Sequence, residues 1–233
     1  MHIPDGFINA PTSLAAGAVA AGGVGVSLRR AAQTLQERQA PLAGLVAAYI
    51  FAVQMLNFPV AAGTSGHLLG GVLAAVLVGP WAGCLCVAVV LVVQSLLIAD
   101  GGLTALGLNI TNMAVVGVFG GWAIFLLLRR ALAATKTSVA VSSGIAAGIS
   151  VVLAAAAFVV EYAIGGAGHA PVGTVLAAMV GVHTLIGIGE GVITALTVGV
   201  VLGVRPDLVY GAQDLQTPLV LGTEPQRAAE EVR

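Results

Sequence analysis

Basic residues occur in this chain only as small groups separated by long apolar runs, and that spacing constrains its fold more than any other feature. The groups are Arg29, Arg30 and Arg38; Arg129, Arg130 and Lys136; and Arg205, Arg227 and Arg233. A bilayer's hydrocarbon core about 30 Å thick asks for roughly 20 apolar residues per helix. Between helix-breaking and charged residues, the sequence predicts spans over residues 12–28, 41–59, 67–80, 81–99, 109–128, 138–164 and 172–204. Joining 67–99 into one helix would leave six spans and place one basic loop outside, whichever way the chain inserted. Seven spans with the N-terminus outside put every basic residue on the cytoplasmic side, as the positive-inside rule requires. The Gly79-Pro80-Trp81 break supports a turn there, because proline cannot continue the preceding hydrogen-bonding pattern. The expected fold is therefore an all-α integral membrane bundle of seven transmembrane helices, N-out and C-in.

Composition excludes the main alternatives. The chain of 233 residues is 58% apolar and 8% charged, against about 25% charged in soluble domains. A soluble enzyme, a secreted scaffold and a disordered binder are ruled out. A net charge of -1 with dispersed cations offers no basic face to nucleic acid. The first apolar run is not expected to be a signal peptide: Arg29 and Arg30 follow it, where a signal peptide carries basic residues before it. Residues 1–204 read as a membrane domain. Residues 205–233, rich in proline and acidic side chains, read as a loosely ordered cytoplasmic tail. Cys84 and Cys86 are too close for a useful disulfide loop and read as packing residues. Spacings such as Gly66 to Gly70, Gly117 to Gly121 and Gly144 to Gly148 predict close helix approach.

The seven-span topology, built without reference to histidine, gathers His2, His67 and His169 on the outer face together with Asp5 and Asp100. No basic residue lies there to repel a cation. His2 has the sharpest chemistry, because an unblocked N-terminus would offer the Met1 amine, the His2 amide nitrogen and the His2 imidazole in adjoining chelate rings. With the amide deprotonated these donors are nearly coplanar and leave one in-plane vacancy, an arrangement suited to Ni(II), Cu(II) or low-spin Co(II). His67, in the low-bulk segment Thr64-Ser65-Gly66-His67, is the candidate fourth donor. The bland alternatives are a frayed terminus for His2 and a headgroup-facing helix start for His67. Asp100, Asn109, Thr111 and Asn112 lie in the most polar outer stretch, which either folds over such a site or merely connects two helices. His183 and Glu190 share a face of the last span but rise about 10 Å apart, too far to hold one ion directly. Interhelical polar contacts are their plain reading.

There is no phosphate-binding G-x-x-x-x-G-K-[ST] loop, no H-E-x-x-H helix and no defensible serine, histidine and carboxylate set, so an enzyme is not expected. Met1-His2-Ile3-Pro4-Asp5-Gly6, Gly63-Thr64-Ser65-Gly66-His67-Leu68-Leu69-Gly70-Gly71, Gly79-Pro80-Trp81 and Asp100-Gly101-Gly102-Leu103-Thr104-Ala105-Leu106-Gly107 resemble signatures of the CbiM/NikM family. Asn109-Ile110-Thr111-Asn112-Met113 and the stretch from His183 to Gly191 resemble later ones, and the likeness covers residues 1–205. These are the substrate-capture components of energy-coupling-factor importers for cobalt and nickel in bacterial and archaeal cytoplasmic membranes. The resemblance implies seven membrane helices. It also implies a square-planar metal held by the Met1 amine, the His2 amide and imidazole nitrogens and the His67 imidazole. The implied partners are a transmembrane coupling subunit, a pair of cytoplasmic ATPases and often a small accessory membrane subunit. No prosthetic group is expected, since Ni(II) or Co(II) would be cargo. The competing function is a stand-alone ion-coupled metal permease with His183 and Glu190 as a proton relay.

Overall fold

A computed structural model describes residues 2–35, 39–60 and 65–215. Helix α1, Ala10–Thr34, starts where the Asn9 side chain accepts a hydrogen bond from Thr12 N and a proline occupies the first turn. Helix α2, Ala40–Gln54, leads into strand β1, Phe58–Pro59, which pairs antiparallel with β2, Ser65–Gly66. Helix α3, Gly71–Val78, is buried along its whole length, and α4, Pro80–Leu97, begins immediately after the Gly79 turn. The next long element runs Leu106–Ala131. It comprises α5, Leu106–Asn109, a π-helical stretch, Ile110–Gly120, and α6, Gly121–Ala131. Helix α7, Lys136–Gly165, is capped by the Thr135 side chain, and α8, Val172–Val204, follows proline at its N-cap.

Five of these stretches are long and apolar enough to cross a membrane: α1, α4, the Leu106–Ala131 run, α7 and α8; α2 is a shorter apolar helix. Their outer faces remain apolar, with Leu14, Leu97, Leu185 and Val204 exposed. That pattern belongs to a multi-pass membrane protein, whose lipid-facing surface needs no polar cover.

The third expected span takes a different form. Only Gly71–Val78 is helical, about 12 Å of rise. His67, Leu68, Leu69 and Gly70 approach it as irregular chain. This half-helix packs at the centre of the bundle against α4, α7 and the π-helical stretch. Irregular backbone is tolerated at such depth only where protein surrounds it, and His67, Leu68, Leu69 and Gly70 are all buried.

Helices α7 and α8 form the closest pair. A β-carbon on Gly187 would lie 2.6 Å from Gly148 O, so only glycine permits the approach there. The bundle has two chemically distinct ends. One gathers residues 2–9, the β-pair, Asp100 and the Gly166 turn, where Ile8 pairs with Gly166. The other gathers Gly79, Thr34, Arg129 and Tyr210. The first part of the expected tail packs against this second end. Turns at Pro206–Leu208 and Tyr210–Leu215 bury Val209 and Ala212, while Arg129 Nη2 lies 2.6 Å from Asp214 Oδ2. Apolar residues spaced among the polar ones provide the anchors that a purely compositional view of residues 205–233 overlooks.

Candidate metal centre

Residues 2–8 fold inward at the first end of the bundle, pinned by side chains from distant segments. Asn109 Oδ1 accepts from Ile3 N at 2.9 Å, and Asn109 Nδ2 donates to Ile3 O at 3.4 Å. Gly102 N donates to the same carbonyl at 2.9 Å. Asp5 Oδ1 accepts from Thr104 N and Thr104 Oγ1 at 2.8 and 2.6 Å, which holds the Asp5 carboxyl below its ordinary range. The N-terminal segment is thus fixed through its backbone, and His2 is 5% exposed rather than frayed.

His2 Nε2 donates to Gln94 Oε1 at 3.1 Å. In the neutral ring that bond leaves the lone pair on Nδ1, the nitrogen that closes a chelate ring with the His2 amide. Nδ1 lies 3.0 Å from Asp100 Oδ1, within hydrogen-bond and ion-pair distance. Two acceptors facing one another at that distance call for a cation or a proton between them. Burial lowers the His2 pKa below its ordinary value of 6.5, and the Asp100 carboxylate only partly opposes it. Burial pushes Asp100 up, but contact with His2 and the Asn57 amide outweighs it, so Asp100 is an anion held below its usual range. Freed of its proton, His2 Nδ1 stands beside a carboxylate, a combination suited to binding a divalent metal.

The His67 ring stacks on His2 with centroids 4.4 Å apart and an interplanar angle of 29°. Its Nδ1 donates to Leu68 O at 2.7 Å, leaving a fully buried Nε2 without a partner among the described residues. The chain that carries it is clamped from two sides. Glu190 Oε2 accepts from Leu69 N at 2.9 Å and Glu190 Oε1 from Gly70 N at 2.7 Å, while Gln54 Nε2 donates to Leu69 O at 2.8 Å. Gly70 stands at φ 74° as the N-cap of α3, a left-handed position that glycine adopts without strain. Glu190 thus satisfies amides at the head of α3 that the half-helix leaves orphaned.

A cavity of about 410 Å³ opens beside these rings, lined by His2, Pro4, Asp5, Ser65, Ser95 and Asp100 among others. Ser65 and Asp100 line this cavity, while Asn109 holds the Ile3 backbone beside it. Thr111 instead donates to Ala16 O at 2.8 Å, and Asn112 donates to Glu161 Oε2 at 2.7 Å, tying the π-helical stretch to α1 and α7. Met1 and Thr64 lie outside the described residues. Among the described residues, no three His, Cys, Asp or Glu side chains converge on one metal position. Gln94 and Gln54 are the contributors that sequence reasoning missed. Their only signal is a lone amide side chain in an apolar run.

The fold and this cluster define a multi-pass membrane protein with a buried histidine pair at one end. The family described as the cobalt uptake substrate-specific transmembrane region, CbiM, matches residues 2–208, and the chain belongs to that family. A relative named cobalt transport protein CbiM, from Geobacter sulfurreducens, is 34% identical over 237 residues, covering 98% of this chain and 66% of the relative. The fused nickel transport protein NikMN of Rhodobacter capsulatus is 37% identical over 164 residues, covering 70% of this chain and 47% of that one. A crystal structure described as a truncated transition metal transporter superposes with a TM-score of 0.80 at 30% identity, covering 87% of this chain and 99% of that structure.

Proposed function

We propose that the chain is the substrate-capture subunit of an energy-coupling-factor importer, taking Ni(II) or Co(II) from outside at its N-terminal end. The observation that carries this reading is the His2 and His67 pair: stacked rings, with His2 Nδ1 against the Asp100 carboxylate and His67 Nε2 without a hydrogen-bond partner among the described residues. With the Met1 amine and the His2 amide nitrogen they would supply four nitrogen donors, a set suited to a tetragonal metal ion. Gln94 fixes the His2 tautomer, Asn109 fixes the backbone that carries it, and Glu190 with Gln54 fixes the segment carrying His67. Segregation of Arg129 and Arg205 to the opposite end from Asp5 and Asp100 supports placing the histidine end outside.

The captured ion sheds water as it exchanges onto nitrogen, and the amine, amide and imidazoles must be free of protons to accept it. Energy comes from partners: a transmembrane coupling subunit, a cytoplasmic ATPase pair and, as in related systems, a small accessory membrane subunit. The stand-alone permease loses support because both Glu190 oxygens already accept backbone hydrogen bonds. Uptake of ⁶³Ni(II) or ⁵⁷Co(II) into vesicles separates the two readings. Capture by an importer subunit requires the co-reconstituted partners and ATP for accumulation, whereas accumulation by the isolated chain on an ion gradient would establish the permease.

A further inference from the structure

His183 is completely buried on α8, and its Nδ1 lies 2.7 Å from Met179 O one turn back. A carbonyl only accepts, so Nδ1 carries the proton and Nε2 keeps its lone pair. That nitrogen has no hydrogen-bond partner among the described residues. Buried polar atoms are nearly always satisfied, and one that is not needs a reason. The atom lies against the segment that carries His67: a β-carbon added to Gly66 would stand 3.3 Å from His183 Nε2. The next residue, His67, has the same configuration, with Nδ1 committed to a backbone carbonyl and Nε2 bare. Two neutral imidazoles with free Nε2 atoms therefore border Gly66 and His67, one at the capture end and one on a helix that runs the length of the bundle.

We propose that His183 Nε2 is a second donor for the divalent cation, one step inward from the N-terminal chelate, and takes the ion over by way of His67. The inference rests on the capture function proposed above. The step is ligand exchange without redox. A bond from the metal to His183 Nε2 forms as the bonds to the terminal amine and the His2 amide break, and each released nitrogen regains one proton from water. Imidazole donors suit ions of intermediate softness such as Ni(II), Co(II) and Zn(II). Glu190, seven residues further along α8, takes no part as a ligand, since both its oxygens are held by the Leu69 and Gly70 amides.

The direct test uses the full chain with one extra residue before Met1, which removes the outer chelate and leaves every side chain in place. Zn(II), a diamagnetic probe, is titrated while the ¹⁵N resonances of the imidazoles are followed. The proposal expects His183 Nε2 to shift on binding while His183 Nδ1 holds its protonated position; an unmoved His183 Nε2 overturns it. In the native-terminus protein, His183→Gln should keep the wild-type Ni(II) affinity of the outer site yet lower uptake by the assembled transporter about 10-fold or more. Wild-type uptake by that variant also overturns the proposal. If the native and extended chains bind Ni(II) equally, the N-terminal chelate has failed. The ¹⁵N response of His183 still decides the inner donor, so the two failures are distinguishable.

Discussion

At the residue scale, the site depends on which nitrogen of each ring carries the proton, and neighbouring side chains decide that. Glu190→Gln replaces an oxygen facing a backbone N–H with an NH₂ group, leaving one of the two amides at Leu69 and Gly70 unsatisfied. A loss of about 1–3 kcal/mol is expected, read as a lower unfolding midpoint in detergent, with weaker metal binding through a loosened His67. Acid should destabilise the metal-free protein through His2. Its folded pKa is lowered from 6.5, so the unfolded chain takes up the proton first; the stability is complete above 6.5 and is lost as pH falls from there toward the folded pKa. The difference in unfolding midpoint between wild type and His2→Gln should therefore shrink as pH drops from 7 to 5. A difference that grows with acid would contradict the assignment. His2 and His67 were legible in the sequence because ionisable residues are scarce in this chain. Gln94 and Gln54 were not, because a single amide in an apolar helix carries no spacing that names its partner.

At the scale of elements, the helices were readable from apolar length and from the helix-breaking and charged residues between them, while the depth of the third segment was not. Leu68 and Leu69 are as apolar as any span residue, so hydropathy alone extends a helix through them. The chain instead enters as a loop because Gly70 takes a left-handed turn and Glu190, 120 residues away, supplies acceptors for the freed amides. Long-range satisfaction of that kind has no local signature. The π-helical winding of Ile110–Gly120 was equally hidden; it occurs where Thr111 and Asn112 bond to α1 and α7, and such windings often accompany functional segments. Packing of α7 on α8 yields a paired prediction. Gly187→Ala would press a methyl group onto Gly148 O and should cost about 1–3 kcal/mol. Gly189→Ala meets nothing within 4 Å and should stabilise by about 0.5–1 kcal/mol through helix propensity. Equal unfolding midpoints for the two variants would refute the packing account.

At the scale of the whole molecule, one end gathers the histidine pair and the other carries cationic side chains, with a half-helix and α8 linking them. The backbone of the N-terminal segment is held by Asn109 and Gly102, which fixes His2 where the proposed chelate needs it. The central claim is that main-chain nitrogen at the N-terminus completes the ligand set around His2 and His67. The measurement that tests it most directly is Ni(II) and Co(II) affinity of the purified protein with its native N-terminus, beside a form bearing one additional residue before Met1. That addition changes no side chain but converts the Met1 amine into an amide. The account predicts that high-affinity binding collapses in the extended form, and equal affinity in both forms would contradict it.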